Sequence, residues 1–148
     1  MGAVLEAFSG VEGSGWKGRQ GSALRDRADL RGFFMRYCGS AAADARLHVG
    51  SLFFGSELAA MEVSVEAYGR MWQLKIGYND ALSAYYPGLQ LTEASIRAAF
   101  ERGLAGYEFF GVAATWEERW NPETRRYRMV VSYPLSARGM WGACRDVA

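Results

Sequence analysis

The hydrophobic positions change period three times along the chain. Val4, Leu5, Phe8 and Val11 recur at helical spacing, which predicts a helix from the first residues. A glycine-rich stretch follows, GSGWKGRQGS, and then ALRDRADLRGFFMRYCGS, where Leu30, Phe33, Phe34 and Tyr37 form one apolar stripe of a second helix ending at Gly39. From Arg46 the period shortens to two. RLHVGSLFF, ELAAMEVSVEAY and RMWQLKIGY read as three strands joined by short turns at Gly55-Ser56 and Gly69-Arg70. In the middle strand Met61, Val63 and Val65 alternate with Glu62, Ser64 and Glu66, the pattern of a sheet with one wet face. A helix over 89–102 comes next, then a short strand in YEFFGV, a helical turn in WEERW closed by Asn121-Pro122, and a last strand in RYRMVVSYP, where Met129, Val131 and Tyr133 alternate with their neighbours. The order predicts an α/β (α+β) fold in a single domain over 1–148. Residues 1–45 are its helical part, 46–134 carry the sheet and 135–148 are a C-terminal tail.

The third helix opens unusually, in YYPGLQLTEASIRAAFERGL. Proline suits the first turn of a helix, where its missing N–H would be unpaired anyway, and it pushes Tyr86 toward an extended conformation. Leu89, Ile96, Ala99, Phe100 and Gly103 then trace a buried face, with Glu93 and Arg97 placed to pair across one turn. Gly88 puts no side chain over the helix entrance, so free N–H groups and the positive end of the helix dipole can receive an anion such as a pyrophosphate. The plainer reading, a helix start and nothing more, stands beside it.

Composition narrows the rest. With 148 residues, half of them apolar and 14% aromatic, the chain buries a real core. A formal net charge of +1 argues against nucleic acid or an anionic membrane as partner. Cys38 and Cys144 lie far apart and His48 is the single histidine, which disfavours a metal cluster or a disulfide framework and fits a reduced, cytoplasmic compartment. No apolar run approaches the roughly 18 residues of a membrane span. The start lacks the basic and apolar regions of a secretory signal, and Glu6 stands where a myristoylation signal needs Ser or Thr. Gly13, Gly15 and Gly18 spell GxGxxG, but a helix rather than a strand precedes them and no acid follows at the right distance. Arg125, Arg126 and Arg128 are balanced by nearby Glu117, Glu118 and Glu123. Trp116 and Trp120 share one face of their turn.

A meander running into a helix with a glycine at its entrance, followed by another strand, resembles the way GNAT acyltransferases build their acyl-CoA site. More specifically, SGWKGRQGSAL, LKIGYNDALSAYYPGLQL, AFERGLAGYEFFG and TWEERW, in that order, resemble the motifs of CelD/BcsL-type acetyltransferases, a GNAT branch related to the Fem peptidyltransferases. The resemblance implies a GNAT-like fold, a central mostly antiparallel sheet flanked by helices, with the first strand missing. It implies acetyl-CoA or another acyl-CoA as cofactor and transfer of the acyl group to an amine or hydroxyl acceptor. Ile76, Gly77 and Tyr78 would line the pantetheine arm, and Pro87, Gly88, Leu89 and Gln90 would face the pyrophosphate. Glu108, Tyr107 and Tyr78 are the candidates for the proton chemistry.

The departures from the family pattern are specific. Asn79 replaces an aspartate, Leu82 a tyrosine, Tyr86 a serine, and Glu117 a lysine, which reverses a charge. Members of this family carry two tandem halves and this chain matches the second, so a homodimer or a missing tandem half is the expected partner. Two further functions remain open: a non-catalytic GNAT-like binding or oligomerisation module, and a Fem-like aminoacyl transfer from tRNA, which the near-neutral charge disfavours.

Overall fold

The computed structural model describes residues 2–14, 21, 23–110, 116–126, 128 and 130–147. The chain forms two compact units, Met1–Val112 and Ala113–Ala148. In the first, helices α1 (Gly2–Ser14) and α2 (Ala28–Ala43) precede the strands β1 (Leu47–Phe54), β2 (Glu57–Ala67) and β3 (Arg70–Tyr78), and helix α3 (Pro87–Glu101) leads into strand β4 (Gly106–Phe109). The sheet order is β1-β2-β3-β4. The first three strands form the expected antiparallel meander, and β4 joins β3 in parallel. A parallel neighbour requires a crossover, and α3 supplies it.

Helices before and after the meander cover both of its faces. Met61 and Val63 of β2 pack with Leu5 and Phe8 of α1, Leu24, and Phe34 and Cys38 of α2 in one buried cluster. On the other face, Glu62 and Ser64 are buried, as are Leu91, Thr92 and Ala99 of α3, which packs against β2 and β3. The wet face read from the β2 alternation is therefore a second, polar-lined interior. The period was right; the covering helix is what alternation cannot show.

Several boundaries also shift. Gly39 does not end α2, which continues to Ala43 and closes through the Asp44 N–H on the Ser40 carbonyl. Of the predicted α2 stripe, Phe34 is buried while Phe33 is 59% exposed. Phe100 of α3 is likewise 57% exposed, because the buried face runs through Leu91, Thr92 and Ala99. The predicted Glu93–Arg97 pair forms at 3.3 Å on the outer surface of the helix. In the second unit, Glu117–Trp120 make a single helical turn ended by Asn121 at φ 45°, with Trp116 and Trp120 in edge contact. The described residues of 126–134 are not in a strand, since alternation alone does not supply a neighbour to take the backbone hydrogen bonds. The predicted C-terminal tail holds helix α4 (Ala137–Val147).

The two thiols are in opposite environments. Cys38 is fully buried in the core, and burial pushes its thiol up to about 11, whereas Cys144 is exposed. An unfolded thiol titrates near pH ~8.5, so the folded chain keeps a proton that the unfolded chain releases, and this part of the stability is lost as pH rises above that point. At pH 8 a thiol reagent is expected to label Cys144 rapidly and Cys38 only on unfolding. Two thiols reacting at equal rates in the native protein would contradict this burial.

Candidate functional site

The β3–α3–β4 crossover places the front of α3 at the C-terminal end of β3, where open α/β arrangements gather ligands. Between them lies a helical turn, Asp80–Tyr85, started by Asn79. The Asn79 Oδ1 accepts from the Ala81 N–H at 3.1 Å, and its Nδ2 donates to Glu57 at 2.9 Å. Tyr86 is not extended as its proline neighbour predicts. It is left-handed, at φ 51° and ψ 47°, because its N–H closes the turn onto the Ser83 carbonyl.

That turn decides what the helix front can bind. The Tyr86 carbonyl accepts from the N–H groups of Leu89 and Gln90, at 3.0 and 3.2 Å. The Gln90 side-chain amide donates to the Tyr85 carbonyl at 2.7 Å. Pro87 is buried and has no N–H. Of the four residues expected at the phosphates, Gly88 alone keeps an N–H without a backbone partner among the described residues. A Cβ at Gly88 would lie 3.4 Å from the Tyr78 ring and 3.9 Å from the Ile76 side chain, so the helix front rests on the end of β3.

A bulge in β3 sorts its side chains. Ser64 pairs with Gln73 and Val63 with Lys75, leaving Leu74 as the extra residue. Lys75 follows Val63 toward α1, and Leu74 packs on the same core. Beyond the bulge, Ile76 and Tyr78 face α3. Gly77 faces α1 instead, where a Cβ would come within 2.7 Å of the Glu12 Cα. The structure thus brings Ile76 and Tyr78 together with Gly88, and gives Gly77 a close backbone approach. The β3–β4 pairing covers four residues, Arg70–Gln73 against Gly106–Phe109.

Neighbours in β4 point to opposite faces, which separates the remaining candidates. Tyr107 lies under α3, where its hydroxyl donates to Glu62 at 2.7 Å. The Ser64 hydroxyl donates to the same carboxylate at 2.7 Å and the Gln73 amide at 3.0 Å. Burial first, and the adjacent Glu62 charge second, push the Tyr107 phenol far above the ordinary tyrosine value. A phenol so placed holds its proton, which suits a positioning role better than that of an acid. Glu62 is the buried charged residue the sequence reading passed over. The signal for it was the helix on each side of the meander, which leaves no face for solvent.

Glu108 lies on the α2 side, level with Trp72, and accepts from Arg70 at 2.7 Å. That face carries a cleft of about 440 Å³ between α2 and the adjoining ends of β2 and β3, with Phe33, Tyr37, Trp72, Leu74 and Phe110 among its walls. Phe33 and Tyr37 stack at 6.1 Å, and Phe110 meets Trp72 edge-on at 6.4 Å. Lys75 is the charged residue of the lining, and its ammonium sits 2.9 Å from the fully buried Glu12 carboxylate, which also accepts the Leu24 N–H. His48 is on the other face, 3.4 Å from the Glu66 carboxylate that Arg102 holds at 2.6 Å. Among the described residues no group of three His, Cys, Asp or Glu is placed to hold a metal ion, and no helix is long and apolar enough to cross a membrane.

Replacing Tyr107 by Phe removes one of the donors that satisfy the buried Glu62 carboxylate. A hydrogen bond to a charged group contributes about 1.5–3 kcal/mol, and urea unfolding of Tyr107→Phe is expected to show a loss of that size. A variant as stable as the parent would mean that the Glu62 network is not closed in solution.

A search of curated proteins and a search of solved structures each find no match. The profile of the family described as acetyltransferase (GNAT) domain matches residues 2–122, which takes in both opening helices, the meander, the crossover helix and β4. The strand order, the parallel β3–β4 pair and the helix front resting on the end of β3 all lie within that span, and the chain belongs to the acetyltransferase (GNAT) domain family.

Proposed function

We propose that the chain is a cytoplasmic acyltransferase of the CelD/BcsL type, moving an acetyl group from acetyl-CoA to an amine or hydroxyl. The observation that carries this reading is the seating of the α3 front on Tyr78 and Ile76 through Gly88. It aims the positive end of a 15-residue helix at the end of β3. The residues fit a cofactor phosphate at one point of contact: the Gly88 N–H is the direct donor, the helix dipole adds to it, and the absence of a side chain lets the phosphate approach. Ile76 and Tyr78 supply the apolar wall beside it.

Bound acyl-CoA supplies an activated thioester, which an amine or hydroxyl attacks with loss of the CoA thiol. The chain's own part is to position and to move a proton. Glu108, paired with Arg70 on the cleft side of the sheet, is the carboxylate to which this reading gives the acceptor's proton. Tyr78 lies near the phosphate end of the site. Tyr107 and Glu62 hold β4 beside β3 from the opposite face. A second reading, a binding module that does not turn over, draws on the helix-front donors already taken by Tyr86 and on the buried, proton-holding Tyr107.

Calorimetric titration of acetyl-CoA into the chain tests the first point, beside Gly88→Ala and Gly88→Asp. An alanine Cβ meets ordinary van der Waals contact at 3.4 Å, and an acid in the first turn suits the helix dipole, so both variants are expected to fold. Binding is expected in the parent, weaker in Gly88→Ala, and at least ~10-fold weaker in Gly88→Asp, where a carboxylate repels the phosphates. No binding by a folded parent sinks the reading. If turnover is found, Glu108→Gln is expected to lower kcat by about 100-fold with a small change in the KM for acetyl-CoA. An unchanged kcat would remove Glu108 from the chemistry.

A further inference from the structure

The α2-side cleft differs in character from the cofactor end. Its volume, about 440 Å³, is in the range that encloses a small organic molecule. Its walls are aromatic and open: Phe33 is 59% exposed and Phe110 69%, and the Phe33–Tyr37 stack faces the Trp72–Phe110 pair across it. Its indole N–H and its one ammonium are already answered. The Trp72 Nε1–H donates to the Ala67 carbonyl at 3.0 Å, and the Lys75 ammonium is held by Glu12. A cleft whose charge is internally neutralised does not select an anion. What it offers an occupant is apolar contact and ring faces, which favour an aromatic body and an amine beside it.

Position fixes the occupant further. The bulge turns Leu74 and Lys75 to this face, where the pairing of β4 with β3 has ended, and the register puts Glu108 on the same face beside Trp72. The helix front that suits phosphates is on the opposite face of the sheet, which leaves this cleft to the other reactant. We infer that the cleft holds the acceptor, and that the acceptor is a small aromatic amine or alcohol, its ring between the α2 aromatics and Trp72 and its amine or hydroxyl toward Glu108. This rests on the acyltransferase reading for its chemistry, but the binding is separable from it.

The test is calorimetry of the full chain with tryptamine, 2-phenylethylamine and 3-phenylpropanol, beside the aliphatic diamine putrescine, all without acetyl-CoA. The variants Phe33→Asp and Phe110→Asp change exposed wall residues and are checked for folding by circular dichroism. The aromatic probes are expected to bind the parent at least 10-fold more tightly than putrescine does, with affinity lowered at least 10-fold in either variant. Aromatic probes that fail to bind, or that bind folded variants equally well, overturn the proposal. Sedimentation of the same proteins covers the rival occupant: a parent dimer that Phe33→Asp converts to monomer assigns the cleft to a second copy and also overturns it. In a separate assay with acetyl-CoA added, acetyl transfer to putrescine without aromatic binding would leave the acyltransferase standing and the cleft assignment fallen. Aromatic binding with no transfer to any of these probes would uphold the cleft as an aromatic-ligand site and overturn its assignment to the acceptor.

Discussion

The approach of α1 to β3 is the contact on which the first unit is built. A side chain at Gly77 would overlap the backbone of Glu12, so the helix crosses the strand there at backbone distance. That crossing point sets where the Glu12 side chain goes. Having no room between helix and strand, its carboxylate reaches sideways to the Lys75 ammonium and the Leu24 N–H. One glycine thereby fixes the depth of α1, the entry of the chain toward α2 and the orientation of the lysine on the cleft floor.

The sheet consequently carries a buried carboxylate on each face. Glu12 is paired with a cation, whereas Glu62 is held by neutral hydroxyl and amide donors. A buried carboxylate demands full satisfaction, so each one ties together elements that apolar packing alone would leave free to slide. Glu62 links β2, β3 and β4 through Ser64, Gln73 and Tyr107, just ahead of the point where β4 stops pairing with β3. The wedge between those strands therefore has a rigid base.

Much of this arrangement is legible in the chain and some is not, for identifiable reasons. The meander, the two opening helices and the Pro87 helix start follow from period and punctuation, which are local properties. The fate of Glu62 is not local, because the same alternation describes a wet face and a face roofed by a helix from thirty residues further on. Tyr86 escaped because the rule for residues before proline concerns steric preference, whereas here a closing hydrogen bond to Ser83 outweighs it. Tyr107 and Glu108 were adjacent candidates for one task. Strand geometry puts adjacent residues on opposite sides, so only one of them can share a chamber with the cleft.

The extra residue in β3 has a consequence for how the chain tolerates change in length. Before Leu74, even-numbered positions such as Trp72 look toward α2; after it, even-numbered Ile76 and Tyr78 look toward α3. The strand changes parity at a single residue. Loss of Leu74 would cost the cleft one wall but leave Gln73 opposite Ser64 and Lys75 opposite Val63 in regular alternation, with Ile76 and Tyr78 still toward α3; loss of Ile76 instead would turn Gly77 toward the helix front and Tyr78 toward α1. The bulge can therefore lose its extra residue without moving the helix front, whereas the identity of the two chambers is written in the count of residues after Lys75.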